Sequence, residues 1–316
     1  MTAAGLIGFG LVFWLVCWLA SLLLTAATVA LAPRAPAVER RASSLAASLP
    51  PLFAILIVAI LIVESLLGED HCAAHGHHAH LCLVHGIAWA DRIWVIGFVS
   101  VATVAALAKG IALALSIRRG ARLVARLEKT SSPDADCSLV ESERAFCFVA
   151  GTRRPRIYVS RAARAALLDE EWEAMLAHER GHIEHRDLSR RLALELSLLL
   201  AAPFTSGALR RRWDAATERL RDADAAERST PEVVASALVC MARASFEGRS
   251  VGLAAFSTTS PELLTERVTS LLDHAPRGER EARSMGIIAL LGAGALIGLA
   301  LALAHPLHHV LETLLG

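Results

Sequence analysis

His178 and His182 stand four residues apart with Glu179 between them, in the stretch Leu176-Ala177-His178-Glu179-Arg180-Gly181-His182. On an α-helix, residues four apart lie one turn above each other on the same face, so both imidazoles can bind a single Zn2+ ion. A carboxylate beside them can take a proton from a water activated by the metal and pass it to a leaving amine, which is what amide hydrolysis near neutral pH requires. The H-E-x-x-H pattern therefore implies zinc-dependent peptide hydrolysis with Glu179 as general base. A helix surface holding these residue types by chance is the rival reading, and the surroundings weigh against it.

A catalytic zinc takes three protein ligands and keeps a fourth position open, so a further donor is needed. Glu218 is the candidate, in Glu218-Arg219-Leu220-Arg221-Asp222, with Asp222 one turn later to accept a hydrogen bond from the outer nitrogen of a ligand imidazole. A merely solvated face of mixed Glu and Arg is the alternative there. His185 follows His182 by three residues on what reads as continuous helix, so it is expected off the metal. Arg221 and Tyr158 are the candidates for steadying a developing oxyanion.

The elements around these residues can be read from pattern. Ala145–Ala150 and Arg156–Val159 read as two strands joined by the turn-forming residues Gly151 to Pro155, a hairpin. Ser160 is expected to cap a short helix and Asp169 the next, whose Trp172, Met175, Leu176 and Ile183 fall at helical spacing. Leu192 to Leu200 forms an apolar helix stopped by Pro203 and too short to cross a bilayer, hence core or membrane-surface. A charged helix from about Ala208 to Arg228 would carry Glu218 and Asp222.

The chain as a whole is very apolar, with 54% hydrophobic residues and a mean hydropathy of +0.47. Four runs are long enough to span a bilayer, at about 6–31, 50–68, 93–117 and 286–304. Acids and bases gather in 118–283 in near balance, as in a solvated domain and not a nucleic-acid binder. The expected architecture is mainly α: a polytopic membrane protein of four transmembrane helices with an inserted α+β, gluzincin-like peptidase domain. Its parts are the membrane segment 1–117 with an outer loop 69–92, the peptidase domain 118–283, and 284–316 with the last span and a short tail. Arg34, Arg40 and Arg41 after the first span, and Arg118, Arg119, Arg122 and Arg126 after the third, put 118–283 in the cytoplasm and both termini outside the inner membrane. Lys109 within the third span reads as a residue snorkelling toward Arg118, and Glu64 as one reaching the outer interface. Gly294 and Gly298 form G-x-x-x-G, a contact that could pair two chains as a homodimer.

The order of three spans, the hairpin with Arg153-Arg154-Pro155-Arg156-Ile157-Tyr158-Val159-Ser160, the H-E-x-x-H helix, Arg186-Asp187, Glu218-x-x-x-Asp222 and a last span resembles the BlaR/MecR-type membrane metallopeptidases. The resemblance implies a cytoplasmic zinc domain with His178, His182 and Glu218 as ligands, Glu179 as base and Asp222 behind the ligands. It also implies an antirepressor role, with a protein substrate such as a winged-helix repressor. Two departures stand out: Arg221 occupies a position where family members often have Cys, and no penicillin-binding sensor domain is read after the last span, so antibiotic sensing is not expected. An HtpX- or CaaX-protease-like quality-control peptidase is the alternative with the same chemistry. A non-catalytic metal-sensing membrane protein is the alternative from another class.

That last alternative draws on the outer loop, where Cys72, His75, His77, His78, His80 and Cys82 follow one another closely. These donors suit soft and borderline metals. In an oxidising compartment, Cys72 and Cys82 could instead close a disulfide.

Overall fold

The computed structural model describes residues 3–31, 35–67, 92–134, 136–151, 153–247, 261–273, 277–287, 289 and 294. The His/Cys-rich loop with Cys72, His75, His77, His78, His80 and Cys82 lies outside the described residues, and so does the fourth expected span apart from 286, 287, 289 and 294.

Among the described residues, three helices are long and apolar enough to cross a membrane: α1 (Ala3–Leu31), α2 (Pro36–Leu67) over Pro36–Val63, and α3 (Ile93–Thr130). α1 is apolar on all sides, as a helix surrounded by other helices and lipid must be. It meets α2 and α3 through Phe9, Leu11, Leu61 and Val95, and its Trp14 indole N–H donates to Thr103 Oγ1 at 3.2 Å.

The second helix starts well before the expected 50. Pro36 opens it, where a missing N–H costs nothing, so Glu39, Arg40 and Arg41 lie on helix and not in a connecting loop. α3 likewise runs past the expected 117 to Thr130, because its charged end is built of good helix formers such as Arg, Ala, Leu, Glu and Lys.

From α3 the chain enters a four-stranded sheet of order β1-β2-β4-β3, formed by Ser131–Asp134, Cys137–Val140, Cys147–Ala150 and Arg156–Ser160. The expected hairpin is present as β3 and β4, antiparallel with Cys147 opposite Val159. Gly151 turns the chain at φ +95, where an added Cβ would sit 2.7 Å from the Arg154 carbonyl oxygen, so only glycine fits. β2 pairs parallel with β4. β1 and β2 escape a pattern reading because each is four residues long and β1 is polar.

The helices that follow are α4 (Arg161–Ala166), α5 (Asp169–Glu184), α6 (Asp187–Leu198), α7 (Thr205–Arg228), α8 (Pro231–Glu247) and α9 (Pro261–Leu272). Ser160 caps α4, its hydroxyl accepting the Ala163 N–H at 3.1 Å. At α5 the cap position is Leu168 and not the expected Asp169. The side chain that satisfies it is Glu171, which accepts the Leu168 N–H at 2.9 Å. α5 is buried on two sides: Trp172, Met175 and Leu176 pack on the sheet with Ile157 and Val159, while Ala174 and Ala177 pack on Ala225, Val234, Leu238 and Leu271 of the helical layer. This central helix carries the H-E-x-x-H residues.

Candidate metal centre

His178 and Glu179 are both buried on α5, and α7 packs behind them at Gly181. A Cβ there would fall 3.0 Å from Arg221 Cδ, so glycine leaves room for the Arg221 side chain between the two helices. The Nε2 atoms of His178 and His182 are 3.2 Å apart. Glu218 on α7 faces both, with one carboxylate oxygen 3.5 Å from His178 Nε2 and the other 3.6 Å from His182 Nε2. A tetrahedral ion with bonds of about 2.1 Å holds its donors roughly 3.4 Å apart. The 3.2 Å between the two nitrogens and the 3.5 and 3.6 Å from each to its nearer Glu218 oxygen are close to that spacing, so the three side chains converge as donors to one ion would. His178, His182 and Glu218 form the metal-competent triplet among the described residues.

Both imidazoles are oriented from behind, which leaves Nε2 for the metal. His178 Nδ1 lies 2.9 Å from Asp222 Oδ1, close in distance though off the ideal hydrogen-bond line. His182 Nδ1 lies 3.0 Å from Asp187 Oδ2. Asp187 can reach back because the chain reverses at Arg186, a non-glycine residue in the left-handed region at φ 52. Such a conformation costs about 1–3 kcal/mol and persists where its surroundings hold it. Here it places the carboxylate against the imidazole.

Arg267 completes the cluster from α9. It grips Asp222 with bonds of 2.7 and 2.6 Å and lies 3.1 Å from Glu218 Oε2. Burial works against charge on each of these groups, yet the ion pairs win. Asp222 and Glu218 are held below their ordinary range by Arg267 and the imidazoles, and Arg267 is raised by the two carboxylates. For His178 burial opposes the charged ring, but Asp222 and Glu218 outweigh it and push the imidazole up to about 10.

Glu179 faces the sheet side of the cluster. Burial, and then the Glu179 carboxylate beside it, push the Cys147 thiol well up, so strand β3 runs alongside the general-base candidate. β3 is an edge strand, with no strand paired to its outer side among the described residues.

The two oxyanion candidates are not on the metal face. Arg221 is engaged with Asp224 at 2.5 Å, Asp187 at 3.1 Å and the Gly181 carbonyl at 3.3 Å. Tyr158 is buried within the sheet, its hydroxyl titration governed by burial and by Glu128 at the end of α3. His185 stands off the metal as expected, 3.4 Å from Asp224. Asp187 as a partner of His182, and Arg267, are additions that sequence reading did not assign. For Arg267 a signal existed, since it falls on the stripe of Leu264, Val268 and Leu271 that α9 buries, where a lone charge needs a buried partner.

Two imidazoles and a carboxylate converging on one point, with a glutamate beside them, define a metallopeptidase type of centre. Residues 114–266 match the family model described as Peptidase family M48. This match supports an M48 family metallopeptidase, with apolar helices that suggest membrane association. No curated relative and no solved structure matches the chain.

Proposed function

We propose that the chain is a membrane-integrated zinc endopeptidase of regulatory type that hydrolyses a cytoplasmic or membrane-adjacent protein. The observation that carries the reading is the convergence of His178 Nε2, His182 Nε2 and the Glu218 carboxylate, the nitrogens 3.2 Å apart and a carboxylate oxygen 3.5 or 3.6 Å from each. His178, His182 and Glu218 would hold the zinc, which polarises a carbonyl and lowers the pKa of water when bound. Glu179 takes the proton from the attacking water and returns it to the leaving nitrogen. Asp222 and Asp187 keep the imidazoles in the tautomer that presents Nε2. An extended substrate segment pairs with the open edge of β3, which brings its backbone past Glu179.

The regulatory part of the reading draws on the contact between membrane helix and site. Arg40 on α2 lies 3.5 Å from Asp187, and Glu39 pairs with Arg219, the residue after Glu218. A shift of α2 therefore reaches Asp187, which orients His182, and the turn of α7 that carries Glu218. In this reading 118–283 is a cytoplasmic peptidase domain of an inner-membrane protein, with a protein substrate of the repressor type.

The test is reconstitution of the full chain in proteoliposomes, with bound metal counted by mass spectrometry and cleavage of unfolded casein or of a neighbouring-gene repressor followed on gels. Zinc-dependent cleavage by the native chain and none by Glu179→Gln is the expected result. Cleavage retained by Glu179→Gln removes the assignment.

A further inference from the structure

The apolar helix read from Leu192 to Leu200, expected to be core or membrane surface, ends in the turn between α6 and α7. Residues 196–209 hold no charged side chain, and their contacts are with the membrane helices. Leu194, Leu198, Ala201, Leu209 and Trp213 pack on Ala46 and Ala47 of α2 and on Leu24 of α1. The depth can be read from α1. Cys17 is the central residue of Ala3–Leu31, and its thiol donates to the Leu200 carbonyl at 3.3 Å. The turn that ends α6 thus lies level with the middle of a membrane-length helix.

Lys109 is at the same level, and it does not snorkel toward Arg118. Its ammonium donates to the Ala201 carbonyl at 3.0 Å. The next carbonyl, of Ala202, accepts the Thr205 hydroxyl at 2.8 Å. Three successive carbonyls in the turn just past the end of α6, those of Leu200, Ala201 and Ala202, therefore each have a side-chain donor. Water would cap such groups at a surface, whereas in hydrocarbon each must find a donor within the protein. The charges farther down the two arms, away from the tip, are paired as well: Arg210 donates to Glu195 in two bonds of 2.7 and 2.6 Å, and Arg191 donates to Asp214 at 2.6 Å. At the tip Phe204 is 99% exposed and sits at φ 70. A fully exposed Phe in a strained conformation is unfavourable in water and natural in lipid.

We propose that α6 and α7 form a re-entrant hairpin whose tip lies near the bilayer midplane, latched there by Lys109 and Cys17, with Phe204 among lipid acyl chains. It rests on α1 to α3 spanning the membrane, and not on peptidase activity. The hairpin begins at Asp187 and leads into the helix that carries Glu218, so lipid packing at its tip bears on both arms of the metal cluster.

The experiment uses the full chain in vesicles of phosphatidylcholine brominated either midway along the acyl chains or close to the headgroup. Phe204→Trp is compared with the parent protein, so that only the added indole is read, and with Leu19→Trp, an exposed α1 position two residues from Cys17. The added indole at 204 is expected to be quenched by the mid-chain bromines as strongly as the one at 19, and to be protected from aqueous iodide. Quenching at 19 but not at 204, including protection at 204 by a second copy of the chain, overturns the hairpin. Absence of quenching at both positions overturns the spans themselves. In the Phe204→Trp background, Lys109→Met should lose the mid-chain quenching at 204 and Lys109→Arg should keep it. Unchanged quenching in Lys109→Met overturns the latch.

Discussion

Arg267 and Asp222 meet through two hydrogen bonds, of 2.7 and 2.6 Å, with the Asp222 side chain only 1% exposed. The same guanidinium lies 3.1 Å from Glu218. Arg267 thus balances the buried Asp222 and also reaches the half-buried Glu218, the two carboxylates that face His178, and it does so from a helix distant in sequence. Removing one partner of a buried ion pair costs about 3–5 kcal/mol, since the other is left charged and unpaired. Arg267→Leu should destabilise the metal-free protein by that order in chemical denaturation, and the zinc-loaded protein by clearly less, because the ion supplies the missing positive charge. Equal losses with and without zinc would show that Arg267 supports the fold alone.

Glu179→Gln should retain metal and lose turnover. The amide keeps the size of the carboxylate but cannot accept a proton, a loss worth at least about 100-fold in rate. Bound zinc by mass spectrometry and cleavage by gel separate the two effects. A variant that loses zinc together with activity would place Glu179 among the ligands.

Much of the candidate metal cluster was legible in sequence because a helix converts spacing into geometry. His178, Glu179 and His182 share one short segment, and Glu218 with Asp222 repeats the one-turn logic on a second helix. What remained hidden depends on how elements meet. Asp187 reaches His182 only because Arg186 turns left-handed at φ 52, a conformation that no local preference of arginine announces. Arg267 comes from a helix that only tertiary packing brings to the cluster. The membrane part was read by hydropathy, which finds apolar runs but not where helices continue beyond them. Hence α2 begins at Pro36 and α3 ends at Thr130, both outside the expected spans. Lys109 was expected to reach for water, and its acceptor, the Ala201 carbonyl, exists only once the α6–α7 turn is in place.

Zinc binding should release protons. In the metal-free protein the carboxylates of Asp222 and Glu218, overcoming burial, push the His178 imidazole up to about 10 from its ordinary 6.5. The raised value means that this contribution to folding is fully present below pH 6.5 and is lost as pH rises through about 10. Zinc requires the neutral ring, so between those limits it must displace about one proton, and its apparent affinity should rise about tenfold per pH unit. Calorimetry in buffers of different ionisation enthalpy reads the proton count. Binding without proton release at pH 7 would mean that His178 is already neutral there.

The two carboxylates behind the imidazoles should differ in what else they disturb. Asp222→Asn and Asp187→Asn each weaken the hold on one ligand ring, and loss of such a partner typically lowers metal affinity by about 10–100-fold. Asp222 also balances Arg267, so its replacement should cost folding stability within the metal cluster. Asp187 instead balances Arg221, 3.1 Å away, and Arg40 of α2 at 3.5 Å. Arg40 touches no ligand, and any effect it has on zinc must pass through Asp187. Arg40→Gln should therefore speed zinc release in the Asp187 protein, Arg40→Lys should restore much of the native rate, and neither change should matter once Asp187→Asn is present. Release rates measured with a chelator in excess give the comparison. Equal effects of Arg40→Gln with and without Asp187→Asn would break the connection from α2 to His182.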